Sequence, residues 1–251
     1  MSGATQKVAI LAPRSAVAQS LAAFLHAQQI PLAYLGRALP EDEAIASDWS
    51  VACDLTDFHA VSDGLEAARE GLGGLTGIVN CAGSILLRPA HLTSQSAYEE
   101  TIAANLTTAF ATVRAAKSVF KREGGSVVLI SSAAAQLGMG NHEAIATAKA
   151  GVEGLARSAA ATYASSGIRF NVVSPGLVES PLSEELTQRE SSRTLSESLH
   201  PLGRLGTAED VSRAIAWFLD PAQSWVTGQV LGVDGGLGRV QPRPRVTAGG
   251  A

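Results

Sequence analysis

The sequence predicts a single α/β domain, a doubly wound parallel sheet with helices on both faces. Three observations predict it. Short apolar runs alternate with longer stretches whose apolar residues recur at helical spacing. The runs are not interleaved with polar residues, as expected of strands buried on both faces. The chain has 251 residues, of which 46% are hydrophobic and 17% charged, enough for one large core. No internal linker divides it.

The first run is Val8-Ala9-Ile10-Leu11, followed by an Ala-rich helical stretch from Ser15 to Gln28. Ile30 to Leu35 reads as the second strand, and Val51-Ala52-Cys53 as the third. Later strands are Gly77 to Val79, Ser126 to Ile130, Arg169 to Val173 and Val230 to Val233. The helical stretches between them are Ala60 to Gly71, Ala97 to Lys121, Ala144 to Ala164 and Ala208 to Leu219. Right-handed crossovers between parallel strands then give the two-sided architecture. Residues 176–206 have clustered Ser and Glu and read as an irregular excursion outside the sheet. The domain is set at 1–237, and 238–251, rich in Pro, Gly and Arg, is expected to be a flexible tail.

Composition excludes several classes of function. The net charge of −4 and the absence of a basic stripe argue against a nucleic-acid partner. Two cysteines, Cys53 and Cys81, form neither a metal-type pair nor a disulfide framework. No apolar run is long enough to span a bilayer, and the start of the chain lacks the pattern of a signal peptide. A cytoplasmic protein is expected.

In this architecture the first strand-to-helix turn normally carries glycines. They allow positive φ and let backbone N–H groups approach a pyrophosphate at the helix N-terminus. Here the turn is Leu11-Ala12-Pro13-Arg14-Ser15-Ala16-Val17-Ala18, without glycine. Pro13 also removes an N–H donor. Two readings of the turn stand. Arg14 can replace the lost amides with a charge, or the turn is simply a helix start with Ser15 as N-cap.

With these motifs in order, the chain resembles the short-chain dehydrogenase/reductase family from Lys7 to Leu237, and the resemblance implies a Rossmann-type fold. Aligned on the first strand, the glycines of the family's TGxxxGxG turn fall on Ala12, Ala16 and Ala18. The adenine-contacting acid falls on Asp54. The NNAG motif is Asn80-Cys81-Ala82-Gly83, and the catalytic-helix Asn is Asn105. The catalytic Ser matches Ser132. The YxxxK motif falls on Ile145 to Lys149, with Lys kept and Tyr replaced by Ile. NxVSPG is intact at Asn171 to Gly176, and the hydroxyl that holds the nicotinamide carboxamide falls on Ser180.

The departures fall on the chemistry. In the family, the Tyr phenol passes a proton to or from the substrate oxygen because the Lys lowers its pKa. Ile145 cannot do so. The resemblance thus leaves Asn105, Ser132 and Lys149 as catalytic remnants. Arg14, Arg37, Asp54, Asn80 and Ser180 are the residues that would touch a dinucleotide. No cofactor is expected in this chain, or NAD(P) if any. The second strand ends in Leu35-Gly36-Arg37, without the acid that would bind a ribose 2′-hydroxyl, so residual binding would favour NADP.

Each remnant also has a structural reading. Asn105 can satisfy backbone groups at a helix irregularity, Ser132 ends a strand, and Lys149 can pair with a carboxylate or cap carbonyls. His142, three residues before Ile145, is the alternative proton donor; Tyr98 and Tyr163 fall elsewhere in the helical layer.

Three functions follow as expectations. The first is a non-catalytic subunit beside an intact paralogue in a heterotetramer, within an NAD(P)-dependent hydroxyacyl or alcohol dehydrogenase. It would associate through Ala97 to Lys121 and Ala144 to Ala164, using small residues Ala146, Ala150, Gly151, Gly154 and Ser158. The second is an atypical NADP-dependent oxidoreductase. The third is a module, or a non-redox enzyme using Lys149, that holds a small molecule or acyl-CoA in the old cleft. The segment Leu177 to Leu205 would form a lid over it. Arg239, Arg243 and Arg245 of the tail would either meet an anionic group or stay solvated.

Overall fold

The computed structural model describes residues 6–40 and 45–241. Seven strands form one parallel sheet. They are β1 (Val8–Leu11), β2 (Leu32–Gly36), β3 (Trp49–Ala52), β4 (Gly77–Asn80), β5 (Gly125–Ile130), β6 (Ile168–Pro175) and β7 (Val230–Val233). Their order across the sheet is β3-β2-β1-β4-β5-β6-β7. The chain runs outward from β1 to β3, then returns to place β4 on the other side of β1. Such a reversal opens a crevice at the carboxyl ends of β1 and β4. Val8 pairs with Leu32 on one side and with Gly77 on the other.

Helices cover both faces because successive strand residues point to opposite sides. Ala9 and Leu11 join a core built with helices α2 (Phe58–Gly71), α4 (Thr108–Phe120) and α5 (Glu143–Tyr163). Val8 and Ile10 join a second core with α1 (Ala16–His26) and α8 (Ala208–Leu219). The central strands β1, β2 and β4 are buried throughout. The edge strands β3 and β7 are not, because each has a neighbour on one side only, so burial on both faces holds for the middle of the sheet.

Two stretches differ from the sequence expectation. Ala97 to Lys121 is not one helix: α3 (Gln95–Ile102) passes through a π-helical turn, Ala103–Thr107, into α4. The extra residue in that turn is invisible to a count of apolar spacing. Residues 176–206 are more regular than expected, with the short α6 (Glu184–Thr187) and the ten-residue α7 (Glu190–Leu199). No residue of α7 is buried; its apolar face is only Leu195 and Leu199, one turn apart and both exposed, too short a pattern among the Ser and Glu to mark a helix.

The tail splits. Gly238 donates its N–H to Asp234 Oδ2, and Arg239 donates to Gln136 Oε1 at 3.0 Å. Residues 242–251, with Arg243 and Arg245, lie outside the described residues. Among the described residues no helix is long and apolar enough to cross a membrane.

The turn after β1 holds Ala12 at φ +57. That left-handed conformation brings the β-carbon against the backbone, at a cost near 1 kcal/mol. Ala12→Gly is therefore expected to stabilise the protein by about 0.5–1 kcal/mol, raising the melting temperature by roughly 1–3 °C. An unchanged or lower melting temperature would show that the turn is unstrained.

Candidate functional site

A cleft of about 1110 Å³ opens at the carboxyl ends of the strands, where the chain order reverses. Its wall gathers residues from the turns after β1, β2, β3, β4, β5 and β6, together with α3, the π-helical turn and α5. Arg14, Arg37, Asp54, Asn105, Ser132, Ile145, Lys149 and Ser180 all line it. Sequence reasoning therefore placed eight separate positions on one surface.

At the end near α1, the wall is Ala12, Arg14, Ser15, Ala16 and Val17. Ser15 caps α1, its Oγ accepting from Ala18 N at 3.2 Å. The helix-start reading of this turn is thus realised, and it is compatible with Arg14 also facing the cleft. Two of the three alanines, Ala12 and Ala16, line the wall at positions where a pyrophosphate would need bare backbone. Ala18 is fully buried and packs against the sheet instead. The turn therefore does not fit a pyrophosphate seated closely on backbone amides. Ser15→Ala is expected to cost about 1 kcal/mol through the lost cap. A urea midpoint unchanged by it would show that the cap does not hold α1.

At the end of the cleft beside β2 and β3, Arg37 and Asp54 meet each other at 3.4 Å, both well exposed. Asp54 also accepts from Thr56 N at 2.9 Å and Thr56 Oγ1 at 2.8 Å. These bonds, the backbone one foremost, hold its carboxyl below the usual range, with Arg37 adding a smaller pull. A 2′-phosphate would compete with Asp54 for Arg37.

The end of the cleft that carries Asn105, Ile145 and Lys149 is built on the π-helical turn and α5. Asn105 is buried there. Its Nδ2 donates to Thr101 O at 2.9 Å and to Ser84 Oγ at 3.0 Å, and its Oδ1 accepts from Ser84 N at 3.2 Å. It stitches the helix irregularity to the loop after β4, as its structural reading proposed. Ser132 caps the 3₁₀ turn Ala133–Ala135, its Oγ accepting from Ala134 N at 3.2 Å.

Ile145 is buried in the wall, and Lys149 lies one helical turn further along α5. Lys149 donates to Ile130 O at 2.9 Å, capping a strand carbonyl, and no carboxylate pairs with it among the described residues. Burial lowers its ammonium pKa to about 8, against a small opposing pull from Cys81. Burial likewise pushes the Cys81 thiol up to about 12, outweighing the Ser15 hydroxyl that faces it and the Lys149 charge. Cys81 is therefore a neutral thiol near pH 7.

Asn80 is not brought to the cleft. Its Nδ2 donates to Thr112 Oγ1 at 3.0 Å and its Oδ1 accepts from Ala82 N at 2.8 Å, so the side chain braces β4 against α4. Ser180 reaches the wall, but its Oγ lies 3.2 Å from Ser183 Oγ in a capping box. His142 is not among the lining residues; its Nδ1 sits 2.7 Å from Gly140 O at the start of α5. Tyr98 is exposed on α3, and Tyr163 packs against the Phe170 ring. Among the described residues, no tyrosine or histidine lines the cleft.

Two structural residues escaped sequence reasoning. His200 is buried, with Nε2 accepting from Leu177 N at 3.2 Å and Nδ1 donating to Ser196 O at 2.7 Å. It ties the end of α7 to the segment that follows β6, and nothing in its local sequence signals that long-range contact. Glu153 is buried on α5, accepting from Ser131 Oγ at 2.9 Å and from Gln136 Nε2 at 2.9 Å. Its spacing of four from Lys149 was the only available signal.

Comparison with known proteins adds four findings. A family model described as enoyl-(acyl carrier protein) reductase matches residues 12–238. The chain is 36% identical over 199 residues to "Inactive 2-(S)-hydroxypropyl-CoM dehydrogenase 2" of Xanthobacter autotrophicus, covering 76% of this chain and 86% of that protein. It is 34% identical to the 3-oxoacyl-[acyl-carrier-protein] reductase MabA of Mycobacterium avium, over 89% of this chain and 84% of that one. Among solved structures, a short-chain type dehydrogenase/reductase from Mycobacterium ulcerans superposes with a TM-score of 0.86 at 27% identity, covering 94% of this chain and 91% of that one.

Proposed function

Given that the chain belongs to the short-chain dehydrogenase/reductase family, we propose that it is a non-catalytic member, which serves as a subunit beside an intact paralogue in an NAD(P)-dependent hydroxyacyl or alcohol dehydrogenase. One observation carries this reading. Ile145 is buried in the cleft wall at the position where the family resemblance puts its proton donor, and among the described residues no tyrosine or histidine lines the cleft to replace it. Ala12 and Ala16 at the phosphate turn point the same way. A relative with "inactive" in its name supports the idea that the family tolerates such chains.

The surface offered to a partner is narrower than the sequence suggested. A β-carbon on Gly151 would meet Leu106 Cδ2 at 2.9 Å, so Gly151 serves packing within the chain. Gly154 has open space where its β-carbon would be, and Ala150 and Ser158 are exposed. These three, at spacing four on α5, leave a shallow stripe that admits another helix closely.

The test is co-expression with the intact family member encoded nearest to this chain. A mixed oligomer, and a partner whose turnover or stability rises with this chain present, is the expected result. A chain that forms only homomers and leaves the partner's activity unchanged would overturn the proposal.

The atypical NADP-dependent oxidoreductase has weaker support, since Arg37 is already engaged by Asp54 and His142 is off the cleft. Saturable NADPH binding with carbonyl-dependent oxidation would establish it.

A further inference from the structure

The cleft has kept a buried amine whose partner in the family's chemistry is gone. We propose that Lys149 is a covalent binding site for a small apolar aldehyde or ketone, held in the cleft as an imine. This goes beyond the subunit reading and depends on neither a partner chain nor a dinucleotide.

The argument begins with placement. Lys149 is 6% exposed and is among the cleft's lining residues, so its amine meets ligand rather than bulk solvent. A β-carbon built on Gly83 would lie 3.5 Å from Lys149 Nζ and 3.0 Å from Asn105 Oδ1. The bare backbone of Gly83 thus leaves room at the corner where the amine and the amide meet. Ile145, one helical turn before Lys149 on α5, is apolar, and the same cleft is also lined by Ile85, Leu86, Leu177 and Leu182, which suits a hydrocarbon substituent.

Reactivity follows from the surroundings. An imine forms only from the neutral amine, and desolvation in an apolar pocket favours that form. The lowered pKa of about 8 agrees, and among the described residues no carboxylate pairs with the group to hold its proton. Of the chain's four lysines, Lys121 pairs with Glu66, Lys117 donates to Ser166 Oγ, and Lys7 donates to the carbonyls of Leu72 and Gly73. None of these three lines the cleft.

The step balances without another reactant. The Nζ lone pair attacks the carbonyl carbon, forming a C–N bond while the C=O π pair moves to oxygen. A proton passes from nitrogen to that oxygen, giving a carbinolamine. Loss of the hydroxyl as water, with the second amine proton, leaves the neutral imine; its nitrogen can then take up a proton. No group is oxidised or reduced.

The experiment is reductive trapping on the purified full-length chain at pH 8. Hexanal or the polar glycolaldehyde is added with cyanoborohydride, and adducts are located by peptide mapping. Hexanal is expected to label Lys149 at least ~10-fold faster than any other lysine. Glycolaldehyde is expected to show no such preference. Lys149→Arg should abolish the fast-labelled site while leaving slow labelling of the other three. Equal labelling of all four lysines, or a Lys149 slower than the rest, would overturn the proposal. Because trapping reads the wild-type chain alone, its failure leaves the subunit reading standing, and failure to form a mixed oligomer leaves this result standing.

Discussion

Replacing Lys149 with methionine is expected to stabilise the protein at pH 7, by about 2 kcal/mol. The sign follows from linkage. The folded pKa is depressed from the ordinary 10.5 to about 8 by burial. Below pH 8 the amine is charged in both states, and the folded state carries the whole desolvation penalty. Two to three pKa units correspond to roughly 3 kcal/mol. As pH rises from about 8 to 10.5, the folded state sheds its proton first, and the penalty is relieved. Methionine fills a similar volume without charge, but it forfeits the bond to Ile130 O, which offsets about 1 kcal/mol. The advantage of Lys149→Met should therefore be full at pH 7, shrink above pH 8, and reverse near pH 10. Urea titrations of both proteins at pH 7 and pH 10 check this, since other titrating groups cancel in the difference. A variant that is less stable at pH 7 by the same amount as at pH 10 would mean that the ammonium is hydrated or paired in the fold.

How much of this was legible in the sequence depends on the range of the interactions. Every strand was found within about three residues, because a buried parallel strand needs an uninterrupted apolar run. Val230–Val233 and Ala208–Leu219 coincide with the expected bounds. The π-helical turn was not visible as geometry, although Asn105 was already marked as the residue that would satisfy one. Helix α7 was missed because its helical spacing is carried by two exposed leucines alone, Leu195 and Leu199, within a Ser- and Glu-rich segment. In the cleft, the motif positions arrived together since they sit at strand ends that the topology converges. What failed was Asn80, whose side chain is consumed between β4 and α4, and Gly151, whose missing β-carbon accommodates Leu106. Both depend on which face of a backbone meets which neighbour. The Arg37–Asp54 pair was hidden for the same reason: each residue was seen as a ligand for a dinucleotide, not for the other.

The double substitution Ala12→Gly with Ala16→Gly is expected to raise NADPH affinity by about 100-fold. A pyrophosphate binds at a helix N-terminus through charge-assisted bonds from backbone N–H groups. Each β-carbon in the wall keeps a phosphate oxygen from its amide, and a lost bond of this kind costs roughly 1.5 kcal/mol. Two such losses make about 3 kcal/mol, or two powers of ten in Kd. Ala18→Gly is the discriminating control. Its methyl is buried against the sheet and does not line the cleft, so it should leave affinity unchanged while costing about 1 kcal/mol of stability. Adding Ile145→Tyr to the glycine pair then separates binding from chemistry. The phenol would enter a wall that Ile145 already shares with Lys149, whose charge favours phenolate formation. NADPH fluorescence is expected to saturate for the glycine pair with or without the tyrosine, and carbonyl-dependent oxidation to appear only with it. A wild-type chain that already binds NADPH as tightly as the glycine pair would show that the two methyls are not the barrier. The non-catalytic reading would then rest on Ile145 alone.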